Sequence, residues 1–277
     1  MSFNADPLDD LRQLTAFPFM VNALEAGAIV AVLAAVVGWY VVLRRQTFAS
    51  HTLSVMAFPG ATGAALAGLP TALGYYVACA AAALAIGALG TDHPAGRRAE
   101  SAAIGTVQTV GLAAGFLFLS LNQAILGGPE TLLFGTFLGI TRAQVLVLLA
   151  VAVGSLAALS VLARPLLFAS VDRDVAQASG VPVRLVERAF LLILGLAIAA
   201  VSQLTGALLV FALLVAPPAS AHLVTMRPLA GLCLSVALAL AIVWIALALA
   251  YFTIYPVGFY VTTLAFAVYV AARIVKR

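Results

Sequence analysis

The sequence predicts an all-α protein, a polytopic bundle of transmembrane helices. Of 277 residues, 64% are hydrophobic and only 9% charged, whereas a water-facing domain carries about a quarter charged residues. Mean hydropathy is +1.15. The apolar residues fall into runs long enough to cross a bilayer, which takes about 20 residues, and arginines punctuate those runs.

Runs at 18–43, 71–90, 101–121, 143–163, 229–250 and 256–274 read as spans. Two regions are less regular. Residues 51–69 are apolar but meet Pro59, and 187–224 has the length of two short crossings, with a hinge at Gln203–Gly206 and a Pro217–Pro218 pair. The expectation is eight or nine spans with broken helices near Pro59 and Pro217. They form one membrane domain over 17–277 after an external segment 1–16. That segment is acidic and lacks the basic region that opens a secretory signal peptide, so the first run reads as a retained helix. Gly111-xxx-Gly115 and Gly135-xxx-Gly139 offer small-residue faces for close helix approach. Residues 122–140, turning at Gly127–Gly128–Pro129, form the longest external connection. Cys79 and Cys233 lie inside apolar runs and read as small buried hydrophobes.

Basic residues set an orientation. With Arg44 and Arg45 in the cytoplasm and nine crossings, 12 of the 14 basic residues share that side, leaving Arg12 and Arg142 outside. The N-terminus is then external and the C-terminus cytoplasmic. The formal excess of +4 does not point to nucleic acid, because no basic stripe carries interleaved aromatics.

Polar groups inside a bilayer are costly and therefore informative. Residues 44–60 read RRQTFASHTLSVMAFPG, which puts His51 and Ser54 in the interior just before Pro59–Gly60. A polar patch beside a broken membrane helix is a common way to build a substrate path. Gln203, with Ser202 and Thr205, either lines such a path or bonds helices together. Glu25 is the acidic residue well inside a span, either a metal or proton waypoint or an outer-interface group. His222 reads as interfacial, and His93, beside Asp92, as solvated.

Residues 164–188, RPLLFASVDRDVAQASGVPVRLVER, form the most hydrophilic stretch of the second half. Asp172 and Asp174 suit the start of a short helix, and Gly180 followed by Pro182 its end. The segment is either a solvated connector or a docking helix that transmits motion from a partner. The chain has no G-x-x-x-x-G-K-[ST] phosphate loop, and its sole lysine is Lys276. It cannot hydrolyse nucleotide through a Walker-type site of its own.

Three segments in order resemble the membrane permeases of zinc/manganese/iron ABC importers. VLRRQTFASHTLSVMAFPGA (42–61) is similar to the family's basic helix end followed by G-D-A-L-S-H-A-x-x-P-G. SAAIGTVQTVGLAAGFLFLS (101–120) is similar to its A-I-G segment. SVDRDVAQASGVPVRLVERAF and LTGALLVFALLVAPPASAHL match its D-P-E-x-A-x-A-x-G loop and G-x-L-L-V-x-A-L-L-x-x-P-A-A stretch. The likeness runs over most of 20–250.

The resemblance implies a homodimeric permease in the lipid of the bacterial cytoplasmic (inner) membrane. Its partners would be two ABC ATPase subunits and an external metal-binding protein. The chain would bind no cofactor and would itself be no enzyme. It would pass a divalent transition metal, zinc or manganese, by alternating access driven by ATP in the partner. Asp172, Arg173, Asp174, Ala176 and Gly180 would form the ATPase-coupling helix, with Arg173 where the family often has proline. Ser54, Pro59, Gly60, Gln203, Pro217 and Pro218 would line the path at helix breaks. The family's Asp and His, four apart and one turn away on one face, correspond here to His51 and Val55. His51 and Glu25 are the metal-contacting candidates.

A reading from another class is a stand-alone ion-gradient-driven transporter or channel, which needs a membrane carboxylate such as Glu25. An intramembrane enzyme finds no support: there is no H-E-x-x-H, no paired membrane aspartates and no Ser–His arrangement.

Overall fold

A computed structural model describes residues 17–90, 97–122, 139–253 and 255–276. Its helices are α1 (Pro18–Leu43), α2 (Thr47–Leu66), α3 (Thr71–Gly90), α4 (Arg97–Leu121), α5 (Arg142–Val171), α6 (Arg173–Ala178), α7 (Val183–Val224), α8 (Pro228–Phe252) and α9 (Val257–Val275). No strand occurs among the described residues, as expected where every backbone polar group must be satisfied inside lipid. The expectations for segment 1–16, for Asp92 and His93, and for Gly127, Gly128, Pro129 and Gly135 lie outside the described residues.

Among the described residues, seven helices are long and apolar enough to cross a membrane: α1, α3, α4, α5, the first arm of α7 (Val183–Gln203), α8 and α9. Eight or nine was therefore a slight overcount. The two segments that fall short have separate physical reasons. The second arm of α7, Leu209–Val224, is too short for the criterion. α2 has 20 residues but carries Ser50, His51, Thr52, Ser54 and Thr62, and it is walled in by α3, α4 and α7. A helix screened from lipid by protein has no need to be apolar all round.

α7 doubles back. Its φ and ψ are helical except at Gly206, where they are 75° and 164°, a region essentially reserved for glycine. The Phe190 ring lies 6.4 Å from Tyr40, and the His222 ring stacks 5.2 Å from Trp39. In one straight helix those two residues would stand about 48 Å apart, yet they meet adjacent residues of α1. The hinge expected at Gln203–Gly206 is therefore real. Pro59, Pro217 and Pro218, in contrast, sit inside helices that continue through them. Proline deletes one hydrogen bond, but its φ near −65° remains helical, and membrane helices tolerate the loss.

With this turn, the ends of α1, α3, α5 and α9, the starts of α2 and α8, and both ends of α7 gather at one end of the bundle. Arg44 meets Glu187 there, the Arg188 Nε donates to the Gly87 carbonyl at 3.3 Å, and Leu223 lines a pocket with Tyr269, Arg273 and Lys276. The opposite end holds Gly206, the Leu209–Gly258 contact and the start of α5, opened by a capping box between Thr141 and Gln144.

Small residues fix the inner packing. Gly60 and Gly74 face each other so closely that a Cβ on either would fall on the other's carbonyl. Gly111 receives Met56 and Gly115 receives Phe58, as the small-residue spacing predicted. A Cβ at Gly139 would meet none of the described residues. Cys79 is buried as expected, whereas Cys233 is exposed on α8. Burial is uneven: 67% of the α1 window is buried but only 11% of α4, so α4 is open to lipid or to another chain.

Candidate functional site

His51 lies one turn into α2, close to the arginine-rich end. Its ring is edge-on to Phe211 at 5.1 Å, and its Nδ1 is buried with no hydrogen-bond partner among the described residues. Val55, one turn on, is buried and apolar. Ser54 is buried, and its Oγ donates to the His51 carbonyl at 2.7 Å, so it serves the backbone. The neighbouring Thr52 Oγ1 donates to the Gln108 Oε1 at 2.9 Å, joining α2 to α4. Pro59 and Gly60 follow as buried wall against α3 and α4.

A second polar group surrounds the turn of α7. The Gln203 Nε2 donates to the Ala199 carbonyl at 3.4 Å, and the Thr205 Oγ1 to the Val201 carbonyl at 3.0 Å. The Ser202 hydroxyl is buried without a partner among the described residues. The Tyr76 hydroxyl lies beside the Gln203 amide, buried and outside hydrogen-bonding geometry. Pro217 and Pro218 are buried on the second arm, Pro218 against Gly38 of α1.

Glu25 is elsewhere. Nineteen residues of α1 separate it from Arg44, so it stands roughly 20 Å along the bundle from His51. Its carboxylate pairs with Arg142 at the exposed opposite end. His222 is structural: its ring stacks on Trp39, and its Nε2 is 3.3 Å from the Trp39 carbonyl oxygen. Among the described residues no group of three or more His, Cys, Asp or Glu could hold a metal ion. Among the described residues, His51 thus offers a buried ring nitrogen without a hydrogen-bond partner. A lone donor of this kind can touch an ion in passing but cannot cage it.

The hydrophilic segment divides differently from its sequence boundaries. Helix α5 runs on to Val171, and α7 begins at Val183, so residues 172–182 alone form the connection. Asp172 is the N-cap of α6, its carboxylate accepting from the Val175 amide at 3.0 Å, and Asp174 sits in the first turn. Ala176 is fully buried in a small cluster with Ala169, Val181 and Val183. Gly180 takes φ 85°, the left-handed conformation that ends helices. Arg173, Asp174, Val171 and Val175 are exposed, giving α6 a mixed charged and apolar outer surface.

Glu187 escaped the sequence reading. Its Oε1 lies 3.3 Å from the Arg44 Nη2 and its Oε2 3.0 Å from the Arg173 Nη2. The Arg44 side chain is only 6% exposed, and its Nη1 donates to the Ser170 Oγ at 3.1 Å and the Leu166 carbonyl at 3.4 Å. Its guanidinium also lies over the Phe190 ring at 5.7 Å. The signal available in sequence was a lone glutamate in a run of arginines, and nothing there paired position 187 with position 44.

Long apolar helices, a polar helix enclosed by α3, α4 and α7 and a short capped helix at the arginine-rich end define a multi-pass membrane permease. The chain belongs to the ABC 3 transport family, whose model matches residues 16–276. It is 30% identical over 223 residues to a manganese transport system membrane protein, MntC, of Halalkalibacterium halodurans, covering 80% of this chain and 75% of that one. It is 32% identical over 221 residues to a chelated iron transport system membrane protein, YfeC, of Yersinia pestis, covering 79% and 74%. The fold matches that of PsaBC from Streptococcus pneumoniae, solved in complex with Fab, with TM-score 0.83, 22% identity, and 96% and 94% of the two chains covered.

Proposed function

We propose that this permease is the translocation subunit of an ATP-driven importer for a divalent transition metal. The observation that carries the reading is α6: a capped helix outside the bundle, at the arginine-rich end, in a chain without a phosphate loop. A separate ABC ATPase docks there, and its closure shifts the bundle between inward and outward access. The arginine-rich end is the cytoplasmic face by the positive-inside rule, in a bacterial inner membrane. Two copies form the conduit, and an external binding protein delivers the ion. α4, largely unburied, is available for contact with the second copy or with lipid.

His51 gives the ion one weak stop, which suits a conduit because an ion bound tightly in transit cannot leave. The relatives' names put manganese first and iron second in the order of testing, with zinc third. The gradient-driven alternative leans on Glu25, whose carboxylate is occupied by Arg142. The test is reconstitution of the permease with its ATPase in vesicles loaded with ATP. Uptake of radioactive manganese in the presence of the charged binding protein supports the reading. No ATP-dependent uptake of manganese, iron or zinc overturns it.

A further inference from the structure

The geometry points to Glu187 as the residue that ties movement of α6 to movement of the bundle. It is a positioning residue, and the inference rests on the reading of α6 as the docking helix. A helix of six residues is too short to be stable alone. α6 is held by the Asp172 cap, by Ala176 in its small apolar cluster, and by the Arg173–Glu187 pair. On its far side the chain turns at Gly180, where a Cβ would meet open space, before Val181 and Val183 pack back against Ala176. That turn, at φ 85°, is the pivot between α6 and α7. A push on α6 reaches α7 through the side chains that bridge the pivot.

Glu187 is placed to pass that push in two directions. It lies one turn into α7, whose first arm leads to the Gly206 turn and the polar group of Ser202, Gln203 and Tyr76. Its other oxygen holds Arg44, which is bonded in turn to the last two turns of α5 through Leu166 and Ser170. Beyond Arg44 the chain turns through Arg45, a non-glycine residue at φ 58°, straight into α2 and His51. One carboxylate therefore links the docking helix to both polar regions of the bundle. Both its oxygens are used, and its side chain is only 13% exposed, so α6 cannot slide past α7 without breaking the Arg173–Glu187 pair.

The decisive variant is Arg173→Gln, because Arg173 is 53% exposed and its loss leaves the buried Arg44–Glu187 pair intact. Two measurements are made on the full permease. The first is the mobility of a nitroxide label at Val175, in a Cys233→Ala background, without any partner. The second is ions moved per ATP hydrolysed in the reconstituted complex. The label is expected to gain mobility, and ions per ATP to fall about tenfold, in the range of known site–site couplings. Arg173→Lys, which can keep the pair, should restore both. Unchanged label mobility, or transport and hydrolysis falling by one common factor, overturns the role of Glu187. If the unmodified complex moves no ion with ATP, the docking reading fails, and label mobility alone still decides whether the pair holds α6.

Discussion

The two ends of the bundle each carry an ion pair between distant parts of the chain, and the pairs differ in kind. At the arginine-rich end, Arg44 and Glu187 are 6% and 13% exposed, with further hydrogen bonds to Ser170 and Leu166. At the opposite end, Arg142 and Glu25 are 60% and 42% exposed. The chemistry is the same. The surroundings decide its consequence: breaking a sheltered pair strands a charge away from water, at a cost of about 3–5 kcal/mol, whereas an exposed pair contributes about 0–1 kcal/mol. The end that bears α6 is thus locked by charge, and the other end is turned by a glycine.

The largest expected effect breaks that lock. Arg44→Gln leaves Glu187 with only the half-exposed Arg173 and strips the end of α5 of its donor, so the loss should fall at the lower end of the buried-pair range, about 3 kcal/mol. By the usual scaling, that lowers the unfolding midpoint in detergent by on the order of 10 °C. Reactivity of the buried Cys79 thiol during heating, in a Cys233→Ala background, reads the midpoint. A shift of a degree or two would show that Arg44 is not the keystone of this end. Gly206→Ala is next. A side chain at φ 75° and ψ 164° costs about 1–3 kcal/mol, and the same assay should register it. No change would mean that the α7 turn is made otherwise than described.

These two sites show what the sequence could and could not reveal. The spans were legible because lipid demands long apolar runs, and α6 was legible because Asp172 and Gly180 are the residue types that start and end helices. Gly206 was legible as a hinge beside Gln203. The expected breaks at Pro59 and Pro217 were not found, because proline weakens a membrane helix without forcing it to turn, while glycine alone admits the backbone of a reversal. Enclosure was invisible: α2 looked like a marginal span because the pattern does not say that α3, α4 and α7 surround it. Glu187 was invisible for a similar reason, since its partners lie 143 residues upstream and across the α6 turn. The separation of Glu25 from His51 also follows from helix direction and not from spacing.

A smaller effect tests the docking helix itself. Asp172→Ala removes the one side-chain cap of α6, worth about 1 kcal/mol. The loss is confined to a single turn, so global unfolding should barely move. Hydrogen exchange should instead speed at the Val175 amide, about fivefold by that free energy. Unchanged exchange there would mean that the apolar cluster around Ala176 holds α6 without its cap.

The smallest expected effect is the most discriminating for mechanism. Glu25→Gln removes a carboxylate already engaged by Arg142 in an exposed setting, so stability should change by less than about 1 kcal/mol. In an ATP-driven permease whose path runs by His51, uptake in the reconstituted complex should persist, because Glu25 stands roughly 20 Å away along the bundle. A gradient-driven transporter would behave oppositely. It needs a carboxylate that gains and loses charge within the membrane, and Glu25→Gln would abolish its transport while leaving the fold intact. Retained uptake therefore places the working end of the molecule with the buried pair. Lost uptake at unchanged stability would move it to the exposed one.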